Sequence, residues 1–276
     1  MKHSYLLDDP LSAVDAHVGR SLFRNCIRGL LRSKCVLLVT HALEYLPACD
    51  NIVVIEKGMI QDQGSYTHVS ANQNGVLAGL LKAQKEAKAQ SVSPITPLSP
   101  LSPIESEGVE KLQSDSVSTS MMIGDQTGTT DGDIQIEELT MRYRPELEPV
   151  LKHLNLHINP GEKVGVVGRT GAGKSSLVLC LMRIIELESG RIVIDGVDIK
   201  QLELEDLRSH IAIIPQEPLL FSGTVRSNLD PFSEYSDESI WSALDRASMR
   251  TVISEAPAGL DTPVEEHGSN YSVGQR

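Results

Sequence analysis

An α/β fold with a core of parallel strands is predicted by three features of this sequence. The first is a set of short apolar runs, YLLD, CVLLVT, NIVVIEKG and KVGVVG, each followed by polar turn residues, as strands buried on both faces require. The second is helical spacing between such runs, clearest in AHVGRSLFRNCIRGLLR between the first two. The third is the stretch GRTGAGKSS, Gly168 to Ser176, which sits between an apolar strand and a helical segment.

Composition bounds the rest. The 276 residues suffice for one large domain or two modest ones, and 40% hydrophobic with 22% charged residues is the balance of a soluble globular chain with a sizeable core. A net charge of −12 argues against a nucleic-acid surface, which needs clustered Lys and Arg. Cys26, Cys35, Cys49 and Cys180 form no CxxC pair and show no metal spacing, so they read as reduced core residues of a cytosolic protein. The most apolar window, CVLLVTHALEYLPACDNIVVI, is interrupted by His41, Glu44, Pro47 and Asp50; nothing here is expected to span a bilayer, and no signal peptide is visible.

Three zones follow in order. Residues 1–90 open with the strand YLLD and continue through a segment with Val18, Leu22, Cys26 and Leu30 at helical spacing to CVLLVT and NIVVIEKG, a βαβ pattern. Residues 91–133 read as a disordered linker. Its Pro94, Pro97, Pro100 and Pro103 recur every third residue, which favours polyproline II, and each follows Ser or Thr, so the stiff spacer has a phosphorylated regulatory segment as its alternative. Residues 134–276 begin with the alternating strands IQIEELTMRY and VLKHLNLHI and continue through KVGVVG, the helix KSSLVLCLMRIIE and the strands GRIVIDG and HIAIIPQ. A helical DESIWSALDRASMRTVISEA follows, with Ile240, Leu244 and Ala247 spaced along one face.

Gly168, Gly173, Lys174 and Ser175 satisfy G-x-x-x-x-G-K-S/T. The glycines let backbone amides wrap phosphate oxygens, Lys174 supplies a positive charge to the β/γ oxygens, Ser175 reaches magnesium, and the helix that follows points its positive end at the anion. Such a nest holds magnesium-bound ATP even in an acidic protein. Asp8 closes an apolar strand, where open α/β sheets place ligands and where a magnesium–phosphate site needs a carboxylate. Asp9 takes the place of a general base, one methylene shorter than Glu, and a misplacement of about 1.5 Å lowers rates by on the order of 10²-fold. His41, after CVLLVT, suits donation to a γ-phosphate as well as the structural role of a lone histidine. Gln216 in IIPQEP suits contact with magnesium or attacking water as well as a polar strand end, and Tyr143 suits nucleobase stacking as well as simple packing.

Together these residues resemble the nucleotide-binding domains of ABC transporters, in wording closest to subfamily C, the multidrug-resistance-associated proteins. GRTGAGKSSL is similar to the Walker A of that group's second domain, IIPQEPLLFSGTVRSNLDPF to its Q-loop region and YSVGQR to its signature. YLLDDPLSAVDAHVGR is similar to the first domain's Walker B and D-loop, and LLVTHALEYLPACDNIVVIEKG to its H-loop strand. The resemblance implies a P-loop NTPase fold in two incomplete copies: the rear of one domain in 1–90 and the front of the next in 134–276.

By position it makes Tyr143 the adenine-stacking aromatic and Gly171 to Ser176 the phosphate loop. Asp8, Ser175 and Gln216 become magnesium contacts, Asp15 a D-loop residue, and Asp9, His41 and Gln216 the catalytic set. Ser272 and Gly274 become signature residues that reach nucleotide on the opposite domain. Tyr271 replaces the usual Leu of the signature, which is expected to perturb packing beneath it, and Asp9 replaces the usual catalytic Glu.

The implied function is ATP-driven export of solutes, with ATP and Mg²⁺ as ligands and cofactor, no nucleic acid, and a head-to-tail second nucleotide-binding domain as partner. Membrane domains absent from this sequence would place the full-length protein on the cytoplasmic side of a membrane. The chain itself is expected to be a cytoplasmic, catalytically silent fragment or the product of a truncated gene model. Two other readings stand beside it. One is a self-complementing ATPase, because 134–276 followed by 1–75 puts the motifs in functional order; the other is a non-hydrolysing ATP-binding regulatory module.

Overall fold

The computed structural model describes residues 4–12, 14, 16–90, 132–272 and 274–276; most of the linker and Asp15 lie outside these. The N-terminal segment supplies β1 (Ser4–Asp8), β2 (Cys35–Val39), β3 (Asn51–Glu56) and β4 (Met59–Gly64). The C-terminal segment supplies β5 (Ile134–Met141), β6 (Leu151–Ile158), β7 (Lys163–Val167), β8 (Ser189–Ile194), β9 (Val197–Asp198) and β10 (Ile211–Ile214). A two-stranded ribbon, β11 (Gly223–Thr224) with β12 (Pro263–Val264), completes the set.

The two segments share one sheet. Its order is β10-β1-β2-β7-β3-β4, parallel throughout except for the antiparallel edge strand β4. β7 lies between two strands of the N-terminal segment, with Val164 opposite Leu37 of β2 on one side and Asn51 of β3 on the other. Without β7, β2 and β3 have no neighbour between them; without β1 to β3, β7 and β10 are isolated strands whose backbone groups lack ladder partners. The five residues of β2 and of β7 are all buried, which is why both read as unbroken apolar runs.

The largest core cluster joins the segments: Leu37, Val39, Val53 and Ile55 pack with Val164, Val166, Leu177 and Leu181. The antiparallel sheet β6-β5-β8-β9 adds Ile134, Leu139, Leu151 and Ile192 to the same cluster. On another face Phe23, Ile27 and Leu31 pack against Leu7, Val36 and Leu38, and Phe23 stacks on Tyr45 with ring centroids 4.8 Å apart. That buried stripe lies one position away from the Val18, Leu22, Cys26, Leu30 spacing, and Val18 and Leu30 are exposed. The sequence carries two adjacent apolar stripes, and the larger Phe23 ring takes the core. The helix there is wide, with the Leu31 amide donating to the carbonyl of Cys26, five residues back.

Other boundaries also move. The helix after the phosphate loop, Lys174–Leu181, ends earlier than its apolar run, because Arg183 turns into the left-handed region and its guanidinium donates to the carbonyls of Ile199 and Leu202. The last predicted helix is two, Asp237–Arg246 and Arg250–Glu255, broken at Ser248 with φ 58°. Ile240 and Leu244 still face inward, in a small separate cluster with Val225, Ile253 and Leu260. The cysteines are all free; Cys35, Cys49 and Cys180 are buried, and burial pushes each thiol up to about 12. Among the described residues no helix is long and apolar enough to cross a membrane.

A polar clamp closes the foot of the sheet. Lys163 is buried, and its Nζ donates to the carbonyls of Arg32, Lys34 and Gly161 at 2.6, 3.0 and 2.6 Å. Its amide donates to the Asp50 carboxylate at 2.8 Å, and the Asp50 amide donates back to the Lys163 carbonyl at 2.9 Å. Burial lowers the Lys163 ammonium below its ordinary value, and Asp50 pulls it back up. No sequence motif marks Lys163, yet it ties the segments together.

Candidate functional site

β7 delivers Gly168 to the edge of the sheet, and the loop that follows ends where the helix Lys174–Leu181 begins. Gly173 caps that helix at φ 107°, in the region L side chains rarely adopt, and a Cβ there would also lie 2.6 Å from Leu151 Cδ2. At Gly168 the constraint is proximity: a Cβ would stand 2.2 Å from the Ile55 carbonyl oxygen. Gly171, at φ 79°, meets nothing within 4 Å, so the loop is open on that side. Gly58, in the turn between β3 and β4, donates its amide to the Ala172 carbonyl at 3.1 Å and accepts from the Lys152 amide at 2.8 Å. The N-terminal segment therefore braces the phosphate loop at Ile55 and Gly58, neither of which the motif pattern identifies. A Gly168→Ala variant is expected to lose about 1–3 kcal/mol, since only backbone can yield at that contact; urea unfolding of the variant checks it.

Lys174 is buried inside the loop, with Nζ donating to the carbonyls of Gly168 and Arg169 at 2.9 and 3.1 Å. Burial lowers its pKa, against the pull of Asp9 and Asp8. Beside it the Ser175 hydroxyl donates to Asp8 Oδ1 at 3.2 Å, bridging β1 and the phosphate helix. Burial raises the Asp8 pKa; the Ser175 hydrogen bond opposes this, neighbouring Asp9 adds to it, and Lys174 and His41 pull it down. Two hard oxygens at 3.2 Å suit adjacent positions around magnesium, where ligands at 2.0–2.1 Å in octahedral geometry stand about 3 Å from each other. No group of three or more His, Cys, Asp or Glu able to hold a metal occurs among the described residues.

Asp9 is 3% exposed and has φ 51°. Its Oδ1 accepts the His41 amide at 3.1 Å, linking the ends of β1 and β2, while the His41 residue itself is exposed. Tyr143, 49% exposed beyond the end of β5, shares a 2.9 Å hydrogen bond with the buried Ser176 hydroxyl. It lines a shallow cleft with Arg144, Glu186 and Leu187. Arg142 is fixed there by both Glu188 oxygens at 2.6 and 2.8 Å and by the Pro145 and Leu147 carbonyls, so its charge is already engaged.

Gln216 is exposed just past β10, at the same end of the sheet as Asp8, because Leu7 and Ile214 are register partners. Ser272 and Gly274 stand apart. Ser272 sits in a tight turn, its carbonyl accepting from the Gln275 and Arg276 amides at 3.0 Å, and a Cβ on Gly274 would come within 3.2 Å of Val14. Among the described residues no hydrogen bond joins either to the phosphate loop, and both are exposed. Tyr271 packs partly buried against the Val225–Leu244 cluster.

Residues 151–276 match the family described as ABC transporter. The chain is 56% identical over 147 residues to ATP-binding cassette sub-family C member 3 of Mus musculus, a stretch covering 53% of this chain and 10% of that protein. It is 55% identical over 145 residues to sub-family C member 2 of Rattus norvegicus, covering 52% of this chain and 9% of the relative. To Metal resistance protein YCF1 of Saccharomyces cerevisiae it is 53% identical over 148 residues, 53% of this chain and 10% of the other. The matched stretch is thus about a tenth of each relative's length.

Proposed function

We propose that this chain binds magnesium–ATP at Gly168–Ser176 as the ATP-binding portion of a transporter exporting solutes, a reading supported by the match of residues 151–276 to the ABC transporter family and by the chain's likeness to sub-family C members. The observation that carries the reading is the Ser175–Asp8 contact: residues 167 positions apart bring a hydroxyl and a carboxylate together beside the buried Lys174 ammonium. In this reading the loop amides and Lys174 bind the phosphates, Tyr143 stacks the base, and Gln216 and His41 face the terminal phosphate. Ser175 and Asp8 would hold magnesium, which when bound would supply charge neutralisation at the phosphates. The exposed Ser272 and Gly274 suit contact with nucleotide on a second, head-to-tail domain; transmembrane domains are the further partners, with the nucleotide-binding part on the cytoplasmic side of the membrane.

Saturable heat on titrating Mg–ATP into the full chain is the expected result, and its absence from folded protein removes the reading. Asp8→Asn is expected to abolish the gain that magnesium gives to ATP affinity, a loss of about 10- to 100-fold for a charge-assisted contact. The pH sign follows from the raised Asp8 pKa. Its proton is held more tightly folded than unfolded, so the ionised form is a burden on the nucleotide-free fold above the folded pKa and is relieved as pH falls. Asp8→Asn therefore raises the nucleotide-free melting temperature at neutral pH, and in the unsubstituted chain magnesium-dependent affinity weakens as pH drops through the Asp8 pKa. A variant that keeps its magnesium dependence would refute the assignment.

A second reading, a self-complementing ATP-binding unit, is favoured by the insertion of β7 between β2 and β3 and by the bracing of the phosphate loop by Ile55 and Gly58.

A further inference from the structure

The Asp9 carboxylate stands next to a proposed metal ligand but is directed elsewhere. Its Oδ1 accepts the backbone amide of His41, its own amide donates to the Val39 carbonyl at 2.8 Å, and its carbonyl accepts from the Ser12 amide and hydroxyl at 3.3 and 2.9 Å. Every backbone polar group of Asp9 is thus engaged, the residue is 3% exposed with a left-handed φ of 51°, and the bond to the His41 amide places its carboxylate at the end of β2. A general base needs hydrogen-bond reach to water at the terminal phosphate; here the buried Asp9 oxygen is bonded to a neighbouring loop's amide. His41 is the residue whose backbone that bond immobilises.

We propose that Asp9 is a positioning residue: its side-chain oxygen pins the His41 backbone at the joint between β1 and β2 and thereby sets where the imidazole stands. The inference rests on the nucleotide reading above for the role of His41, while the pin itself is independent of ligand. Asparagine is the informative substitute, since it keeps an oxygen acceptor, tolerates a left-handed backbone and has no basic carboxylate.

Two measurements on the full chain decide the matter: exchange of the His41 amide proton by NMR, and the ratio of ATP to ADP affinity by calorimetry. Asp9→Asn is expected to keep both the protection and the ratio. Asp9→Ala is expected to speed His41 exchange by about tenfold or more and to lower the ratio to that of His41→Ala, with no further loss when the two are combined. An alanine variant with a protected His41 amide overturns the proposal, and so does an asparagine variant that loses ATP preference as alanine does. If Asp9→Ala does not fold, Asp9→Asn decides alone, and loss of protection there refutes the pin. If no nucleotide binds at all, the functional reading falls while the exchange data still judge the pin.

Discussion

Replacing Lys174 with alanine is expected to weaken ATP binding by about 10- to 100-fold, the value of one charge-assisted contact to phosphate. The size of the effect follows from pre-placement. The ammonium is already inside the loop, held by the Gly168 and Arg169 carbonyls, so little side-chain ordering opposes its contact with ligand. Stability moves differently from affinity. Burial lowers the Lys174 pKa, so the folded state holds this proton less tightly than the unfolded chain does, and the charge is a burden at pH below that lowered value. Removing it offsets much of what the two uncovered carbonyls lose, and the melting temperature of Lys174→Ala should stay within a few degrees of the parent. Lys174→Met, which keeps an apolar stem in the buried position, separates lost packing from lost charge. Calorimetric titration and a thermal melt in one buffer are the measurements, and an unchanged ATP affinity would defeat the phosphate-loop assignment.

The sequence made the loop legible because its chemistry is local. Glycines at strained or crowded positions, one lysine and one hydroxyl lie within nine residues, and the strand and helix that flank them have strong patterns. The parallel strands were equally legible, since β2 and β7 are buried throughout. Their neighbours were not. A uniformly apolar run carries no register or partner information, so nothing in CVLLVT or KVGVVG says that one pairs with the other across the linker. β4 escaped notice because MIQDQG is an edge strand with alternating exposed positions and no apolar run. Asp9 illustrates a different limit. Its burial and its bond to the His41 amide depend on a backbone turn that composition does not reveal. Lys163 and Gly58 likewise act through carbonyl and amide groups, which every residue owns and no motif records.

A charge placed in β7 is expected to unfold both segments together. Val166 is fully buried, opposite Val39 of β2 and Val53 of β3, so Val166→Asp buries a carboxylate with no partner and loses on the order of 4 kcal/mol or more. That is a large share of the roughly 5–15 kcal/mol that holds a domain folded. The cysteines make the outcome readable residue by residue. Cys35 and Cys49 are buried in the N-terminal segment and Cys180 in the C-terminal one, each with a thiol whose pKa burial has pushed to about 12, hence unreactive while folded. If one interleaved sheet is the cooperative unit, all three become reactive at a common temperature. Val166→Asp then lowers that temperature equally for Cys35 and Cys180, although only the latter shares a segment with the substitution. If Mg–ATP binds as proposed, through groups from both segments, it raises the three midpoints in step. Thiol labelling read by mass spectrometry distinguishes this from two separate units, for which Cys180 would label while Cys35 stays protected. The interleaving of β2, β7 and β3 makes the first outcome the physical expectation, because neither segment satisfies its central backbone hydrogen bonds without the other.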